Sequence, residues 1–158
     1  MKLRNILKQS DLFSAFDDKE LDVFANIMSC KDYPDGHVFI RSGNAQIRAG
    51  EEAMYVIIKG KVLVRVPQHG EDNYSVVRLM DSGSAFGFLS LIDTADRSAT
   101  CSAAGPVTAV SLNKSTFDHL YRSNETLASK FQFALAKQIA KDIRQLNQYL
   151  ADSIRQQA

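Results

Sequence analysis

A chain of 158 residues fits one domain, and its 45% hydrophobic and 23% charged residues are ordinary values for a globular protein. The formal net charge of +1 gives the whole molecule no electrostatic attraction for nucleic acid or an anionic membrane. We expect a cytoplasmic protein without a membrane partner, because the two cysteines stand in no redox spacing, the N-terminus has no secretory signal and no apolar run could cross a bilayer.

Residues 1–32 are expected to form N-terminal helices. Apolar residues recur at steps of three and four from Leu21 to Met28, and Asp17 or Asp18 could cap the helix that carries them. We expect these helices to pack on a sheet.

Residues 33–112 have the periodicity of strands. Lys59-Gly60 and Gly105-Pro106 each indicate a turn between two strands, and polar loops are predicted over residues 45–53 and 67–73. The predicted strands are His37–Arg41, Met54–Ile58, Lys61–Val66, Tyr74–Met80, Ala99–Ala104 and Val107–Leu112. Short strands with little helix between them predict a β-roll or jelly-roll barrel.

Segment 84–101 carries the most specific pattern in the chain. Gly87 opens a short apolar helical turn, whose free backbone N–H groups suit an anion. Arg97, ten residues later, could supply a planar fork of donors to the same point. The residues alone leave two interpretations open, a phosphate cradle or a tight corner beside a solvated arginine. The candidate ligand-binding residues are Gly87, Phe88, Leu89, Arg97, Ser98 and Ala99.

Residues 113–158 return to helical spacing. A short helix, capped by Asn113 or Ser115, precedes a long helix over about 125–157. The long helix has an apolar heptad seam at Ala136, Ile139, Ile143, Leu146, Leu150 and Ser153. One small barrel cannot cover such a helix, so we expect a homodimer through it; the alternative is that the seam folds back on its own barrel.

Segment 84–101 resembles the phosphate-binding cassette of the cyclic nucleotide-binding domain family, which includes the bacterial catabolite activator protein, kinase regulatory subunits and channel gating domains. The family pattern is Phe-Gly-Glu-Leu-Ala-Leu, a spacer, and Pro-Arg-Ser/Thr-Ala-Ser/Thr-Val. This chain has Phe86-Gly87-Phe88-Leu89-Ser90-Leu91 and then Asp96-Arg97-Ser98-Ala99-Thr100-Cys101. A second family pattern, Tyr-x-Ile-x-x-Gly-x-Val-x-Val, is matched from Tyr55 to Val64.

The resemblance covers nearly the whole chain and implies a single domain over residues 1–158. Its fold class is α+β, mainly β, with N-terminal helices, a β-roll and a long C-terminal helix. Two residues depart from the cassette pattern. Phe88 replaces the glutamate that accepts a hydrogen bond from the ribose 2′-hydroxyl, and Asp96 replaces a proline, beside Arg97, where its charge could weaken a phosphate clamp.

The resemblance implies a sensor that binds cyclic AMP, cyclic GMP or a cyclic dinucleotide and signals through its C-terminal helix. In the family the long helix contacts the base; the matching region here is near Asp142, for which we favour a solvated charge. The alternative, favoured by Phe88, is a degenerate domain that binds no nucleotide and serves as a dimeric protein-interaction module.

Enzymatic activity is not expected. The three histidines share no spacing, so we predict no metal site, and no nucleophile elbow, phosphate-binding Walker loop or dinucleotide fingerprint is present, so we predict no catalytic residues and no cofactor. The sequence has no helix-turn-helix pattern after the long helix, so we expect no DNA partner.

Overall fold

A computed structural model describes residues 2–43, 52–67, 74–93 and 97–157. The predicted polar loops therefore lie almost entirely outside the described residues, as does Asp96.

Two of the described helices begin at capping side chains that the sequence predicts. The helices are α1 (Leu3–Leu7), a 3-10 turn (Asp11–Phe13), α2 (Asp18–Ile27), α3 (Leu89–Ile92), α4 (Lys114–Ser123) and α5 (Glu125–Gln157). At α2, Asp17 Oδ1 accepts from the backbone N–H of Glu20 at 2.9 Å, while Glu20 Oε2 accepts from that of Asp17 at 2.9 Å, a reciprocal capping box. At α4, Asn113 Oδ1 accepts from the backbone N–H of Thr116 at 2.8 Å. The predicted caps at Asp17 and Asn113 are confirmed.

The described strands form one six-stranded antiparallel sheet. The strands are β1 (Ser29–Tyr33), β2 (Val38–Ile40), β3 (Ala53–Pro67), β4 (Tyr74–Met80), β5 (Ala85–Phe86) and β6 (Thr100–Asn113). Their order is β1-β6-β3-β4, with β2 paired to β6 and β5 paired to β3. The predicted α+β, mainly β, architecture with a long C-terminal helix is confirmed.

Two predicted turns are wrong, because β3 and β6 each run through the glycine that suggested a turn. The two strands pair with each other along most of their length, and their register shifts between Ile57 and Lys61. Gly60 has a φ of +96°, and a Cβ atom there would lie 2.3 Å from the carbonyl oxygen of Pro106. The glycine thus allows a bulge and a close approach of the two strands.

The sheet also begins earlier than predicted. β1 starts at Ser29, within the segment expected to be helical, and pairs with β6 from Ser29↔Ser111 to Tyr33↔Val107. Its first four side chains are exposed, so this strand lacks the apolar alternation by which a strand is recognised in a sequence.

The N-terminal helices and the first half of α5 share one aromatic core. The ring of Phe131 in α5 lies 4.9 Å from that of Phe24, 5.8 Å from Phe13 and 5.7 Å from Phe117. The buried residues of α5 all lie between Leu127 and Leu135. Burial therefore fixes the start of this helix.

A search of the described helices for a segment of sufficient length and hydropathy to span a membrane finds none.

Gly60→Ala should destabilise the protein more than Gly36→Ala. Both glycines have positive φ, +96° and +78°, so each alanine carries a backbone penalty of about 1 kcal/mol. Only the Cβ at position 60 also meets backbone, since no described atom lies within 4 Å of the Cβ position at 36. Urea unfolding of both variants measures the difference. Equal unfolding midpoints would contradict the close approach of β3 to β6 at Gly60.

Candidate functional site

The backbone at Gly87 lies directly against the sheet. Gly87 has a φ of +77°, and a Cβ atom there would lie 2.8 Å from the carbonyl oxygen of Ala53 and 2.9 Å from Ile40 Cδ1. Ser90 closes the following turn, because its hydroxyl donates to the carbonyl oxygen of Gly87 at 2.8 Å. The predicted short helix after this glycine is confirmed as α3, a single turn of four residues.

The backbone at Arg97 is held by the loop after β2. Gly43 donates its backbone N–H to the carbonyl oxygen of Arg97 at 2.9 Å, forming an isolated β-bridge. Ser42 donates its backbone N–H to the Thr100 hydroxyl at 3.0 Å. These contacts anchor both ends of the segment that carries Ser98 and Ala99.

A cavity of 580 Å³ lies between the sheet, the cassette and α5. This volume is in the usual range for a small-molecule site. The cavity is bordered by every candidate ligand-binding residue that the sequence predicts: Gly87, Phe88, Leu89, Arg97, Ser98 and Ala99. Residues ten positions apart in the chain are thus brought to one site.

Three neighbouring strands supply one row of residues to this cavity. Arg78 of β4 pairs with Val64 of β3, which pairs in turn with Cys101 of β6, and all three border the cavity. Directly paired residues share a face of the sheet, so Arg78 and Cys101 lie on either side of Val64. The sequence prediction missed Arg78. Its position two residues before the buried Met80, on the same face of β4, was the available signal.

The second half of α5 lies along the cavity. Its bordering residues are Ile139, Asp142, Ile143, Gln145, Leu146 and Tyr149. Three members of the predicted heptad seam, Ile139, Ile143 and Leu146, are among them. Leu150 belongs to the seam but does not border the cavity; it is 49% exposed.

Asp142 is more than the solvated charge that the sequence favoured. Its side chain is only 25% exposed, and Arg78 Nη1 lies 3.5 Å from its Oδ1 atom. Gln138 Nε2 donates to the same oxygen at 3.0 Å. This carboxylate therefore links α5 to β4 at the cavity.

The Phe88 ring belongs to the core as well as to the cavity. It is 6% exposed and packs in the cluster that contains Leu91 and Leu112, while it also borders the cavity. Leu89 differs, being 53% exposed. Where the family pattern has a carboxylate acceptor, this site has an aromatic wall.

Two arginines, Arg78 and Arg97, and two aspartates, Asp93 and Asp142, are the charged residues that border the cavity. Burial raises the pKa of the Cys101 thiol to about 11, and the charges of Arg97 and Arg78 offset part of that shift. Among the described residues, no acidic side chain forms an ion pair with Arg97. Arg97 is half-buried and borders the cavity, and a guanidinium carries a planar fork of donors that suits an anion.

Comparison with known proteins places this arrangement in a family. The profile of the "Cyclic nucleotide-binding domain" matches residues 30–124, which is more than half of the chain. The chain belongs to the cyclic nucleotide-binding domain family. The predicted membership of this family is thereby confirmed.

Individual relatives of this cyclic nucleotide-binding domain include kinases and a bacterial regulator. Over 131 residues, or 82% of its length, this chain is 27% identical to the cGMP-dependent protein kinase egl-4 of Caenorhabditis elegans. It spans only 16% of that kinase. The Thermus thermophilus catabolite activator protein superposes with a TM-score of 0.72 at 25% identity, over 89% of this chain and 62% of that one. The regulatory domain of Toxoplasma gondii PKA with cAMP gives 0.61 at 29% identity, over 75% and 42%.

The described residues contain no group of three or more histidine, cysteine or acidic side chains that could hold a metal ion. The cavity is bordered by the guanidinium groups of Arg78 and Arg97, the carboxylates of Asp93 and Asp142, and an apolar wall.

Cys101 should resist thiol reagents at pH 8 in the folded protein, whereas the exposed Cys30 should react. A thiol with a pKa of about 11 is almost wholly protonated at that pH, and the thiolate is the nucleophile. Ellman titration of the Cys30→Ser variant should therefore release no colour until urea unfolds the chain. A fast reaction of folded Cys30→Ser would contradict the burial of Cys101.

Proposed function

We propose that this domain is a cytoplasmic, non-enzymatic sensor that binds a cyclic purine nucleotide by its phosphate in the 580 Å³ cavity. The observation that carries the proposal is the convergence of the two halves of the cassette, Gly87–Leu89 and Arg97–Ala99, on one cavity that contains an arginine without an acidic partner among the described residues.

Each part of the cassette has a distinct role in this proposal. The Arg97 guanidinium and the Ser98 hydroxyl donate to the phosphate oxygens, together with backbone N–H groups between Gly87 and Leu89. Ala99 and the Phe88 ring, which also border the cavity, contact the sugar. Two relatives support a purine ligand, because the kinase is named for cGMP and the Toxoplasma structure holds cAMP.

Signalling through α5 follows from where the cavity lies. A ligand in the cavity contacts α5 at Ile143, Leu146 and Tyr149, so binding free energy depends on the position of that helix. A partner that binds the outer face of α5 would then sense whether the cavity is occupied.

Replacing Arg97 by glutamine should weaken cyclic AMP and cyclic GMP at least tenfold. The variant removes a charged donor pair while keeping a side chain of similar length, and tenfold corresponds to about 1.4 kcal/mol. Calorimetric titration measures both affinities. Arg144→Gln is the matched control, because it removes the same charge from an exposed position that does not border the cavity. Binding that survives unchanged in Arg97→Gln would contradict the assignment of the phosphate site.

We also propose that α5 mediates a homodimer. Beyond the cavity the helix exposes Leu150 and, one turn later, Ile154, at 49% and 68%. Apolar side chains at this spacing on a protruding helix favour pairing with a second copy.

Leu150→Glu should convert the dimer to a monomer, because two buried carboxylates would face each other across the pair of helices. Sedimentation velocity measures the molecular mass, and ligand titration checks that the cavity is intact, since Leu150 does not border it. Ala151→Glu adds the same charge one residue away, off the seam, and should stay dimeric. Leu146 is a poor choice here because it lies on both the seam and the cavity. A Leu150→Glu dimer would place the interface elsewhere.

A second candidate function is a protein-interaction module that binds no nucleotide. The burial of Phe88 favours it, because the site lacks the carboxylate acceptor that would recognise a ribose hydroxyl. The same titration separates the two: no heat from wild type with either cyclic nucleotide would favour the interaction module and direct the search to a protein partner.

A further inference from the structure

Arg78 is a second cation that borders the cavity, on a different element from Arg97. It lies on β4, two strands away from Cys101 on β6, or about 10 Å at the usual strand spacing. Arg97 lies four residues before Cys101 and enters the cavity from the cassette side. The two arginines are thus carried by different elements, one by β4 and the other by the cassette, and both border the same space.

The present partner of Arg78 binds it weakly. The 3.5 Å between Arg78 Nη1 and Asp142 Oδ1 exceeds the 2.7–2.9 Å of a charge-assisted hydrogen bond. The side chains are 36% and 25% exposed, and ion pairs with solvent access stabilise a protein little. Asp142 also accepts from Gln138 at 3.0 Å, so it keeps a donor if Arg78 moves. Exchanging this partner for another anion would cost little.

Besides the two arginines, the carboxylates of Asp93 and Asp142 border the cavity. Much of the remaining wall is apolar, formed by side chains such as Met80, Phe86 and Ile139. A ligand with two phosphates, one for each arginine, and with aromatic bases that lie against the apolar side chains matches such a space.

We infer that Arg78 is a second anion-binding residue, which gives up its contact with Asp142 and binds a second acidic group of the ligand. The ligand class is then a nucleotide with two phosphates, such as a cyclic dinucleotide. This inference rests on the proposed function, because it places the first phosphate at Arg97. The first acidic group then binds at the cassette and the second at β4. When Arg78 binds the ligand in place of Asp142, the one ion pair that the described residues make between β4 and α5 is broken.

Calorimetric titration with cyclic di-GMP and cyclic AMP tests the inference. Wild type should bind cyclic di-GMP about tenfold more tightly than cyclic AMP, and Arg78→Gln should bring that ratio close to one. Arg97→Gln should weaken both ligands, and Arg144→Gln should change neither. Urea unfolding of Arg78→Gln checks that this half-exposed position leaves the fold intact.

Asp142→Asn supplies a readout that a structural role for the pair would not give. The amide keeps an oxygen for Gln138 but removes the charge that competes for Arg78, so cyclic di-GMP should bind more tightly, by about threefold or more. Weaker binding of cyclic di-GMP to this variant would overturn the exchange.

The remaining outcomes separate the two proposals. Cyclic AMP binding that requires Arg97, without an advantage for cyclic di-GMP or with a ratio that Arg78→Gln leaves unchanged, overturns the inference alone. Absence of binding by both ligands to wild type overturns the proposed function and, with it, the inference.

Discussion

The site depends on the close contact of two backbones at Gly87. At this residue the chain approaches the carbonyl oxygen of Ala53 so closely that a side chain could not be accommodated, and the positive φ turns the chain from β5 into the single turn of α3. The cassette backbone is thereby seated on the sheet at one end, while the Gly43–Arg97 bridge holds the other. Gly87 and Arg97, at the two ends of the cassette, are thereby brought to the border of one cavity.

The elements that a local pattern specifies could be predicted from the sequence. Asp17 and Asn113 cap helices because their carboxylate and amide oxygens reach backbone N–H groups three residues on. The cassette could be located through its resemblance to the family pattern, because a glycine and an arginine at this spacing alone also fit a tight corner. All six of its candidate residues border the cavity.

What escaped prediction depends on contacts between distant parts of the chain. Gly60 has the sequence signature of a hairpin turn. In the structure its backbone lies against that of Pro106, so the glycine permits a close approach of β3 to β6 instead of a reversal of the chain. β1 carries polar, exposed side chains, and only its pairing with β6 makes it a strand. Arg78 and Asp142 are separated by more than sixty residues, so neither one alone signals the ion pair at the cavity. Single-residue patterns contain no information of this kind.

The uneven anchoring of α5 gives the domain a mechanical property. Burial holds the helix only as far as Leu135, and the remainder, some 33 Å at 1.5 Å per residue, is attached through exposed ion pairs and the cavity wall. Because a helix is stiff, a tilt of about 5° at its buried end would displace the other end by roughly 3 Å over that length. A sub-ångström adjustment beside the cavity can thus become a movement large enough for another molecule to detect.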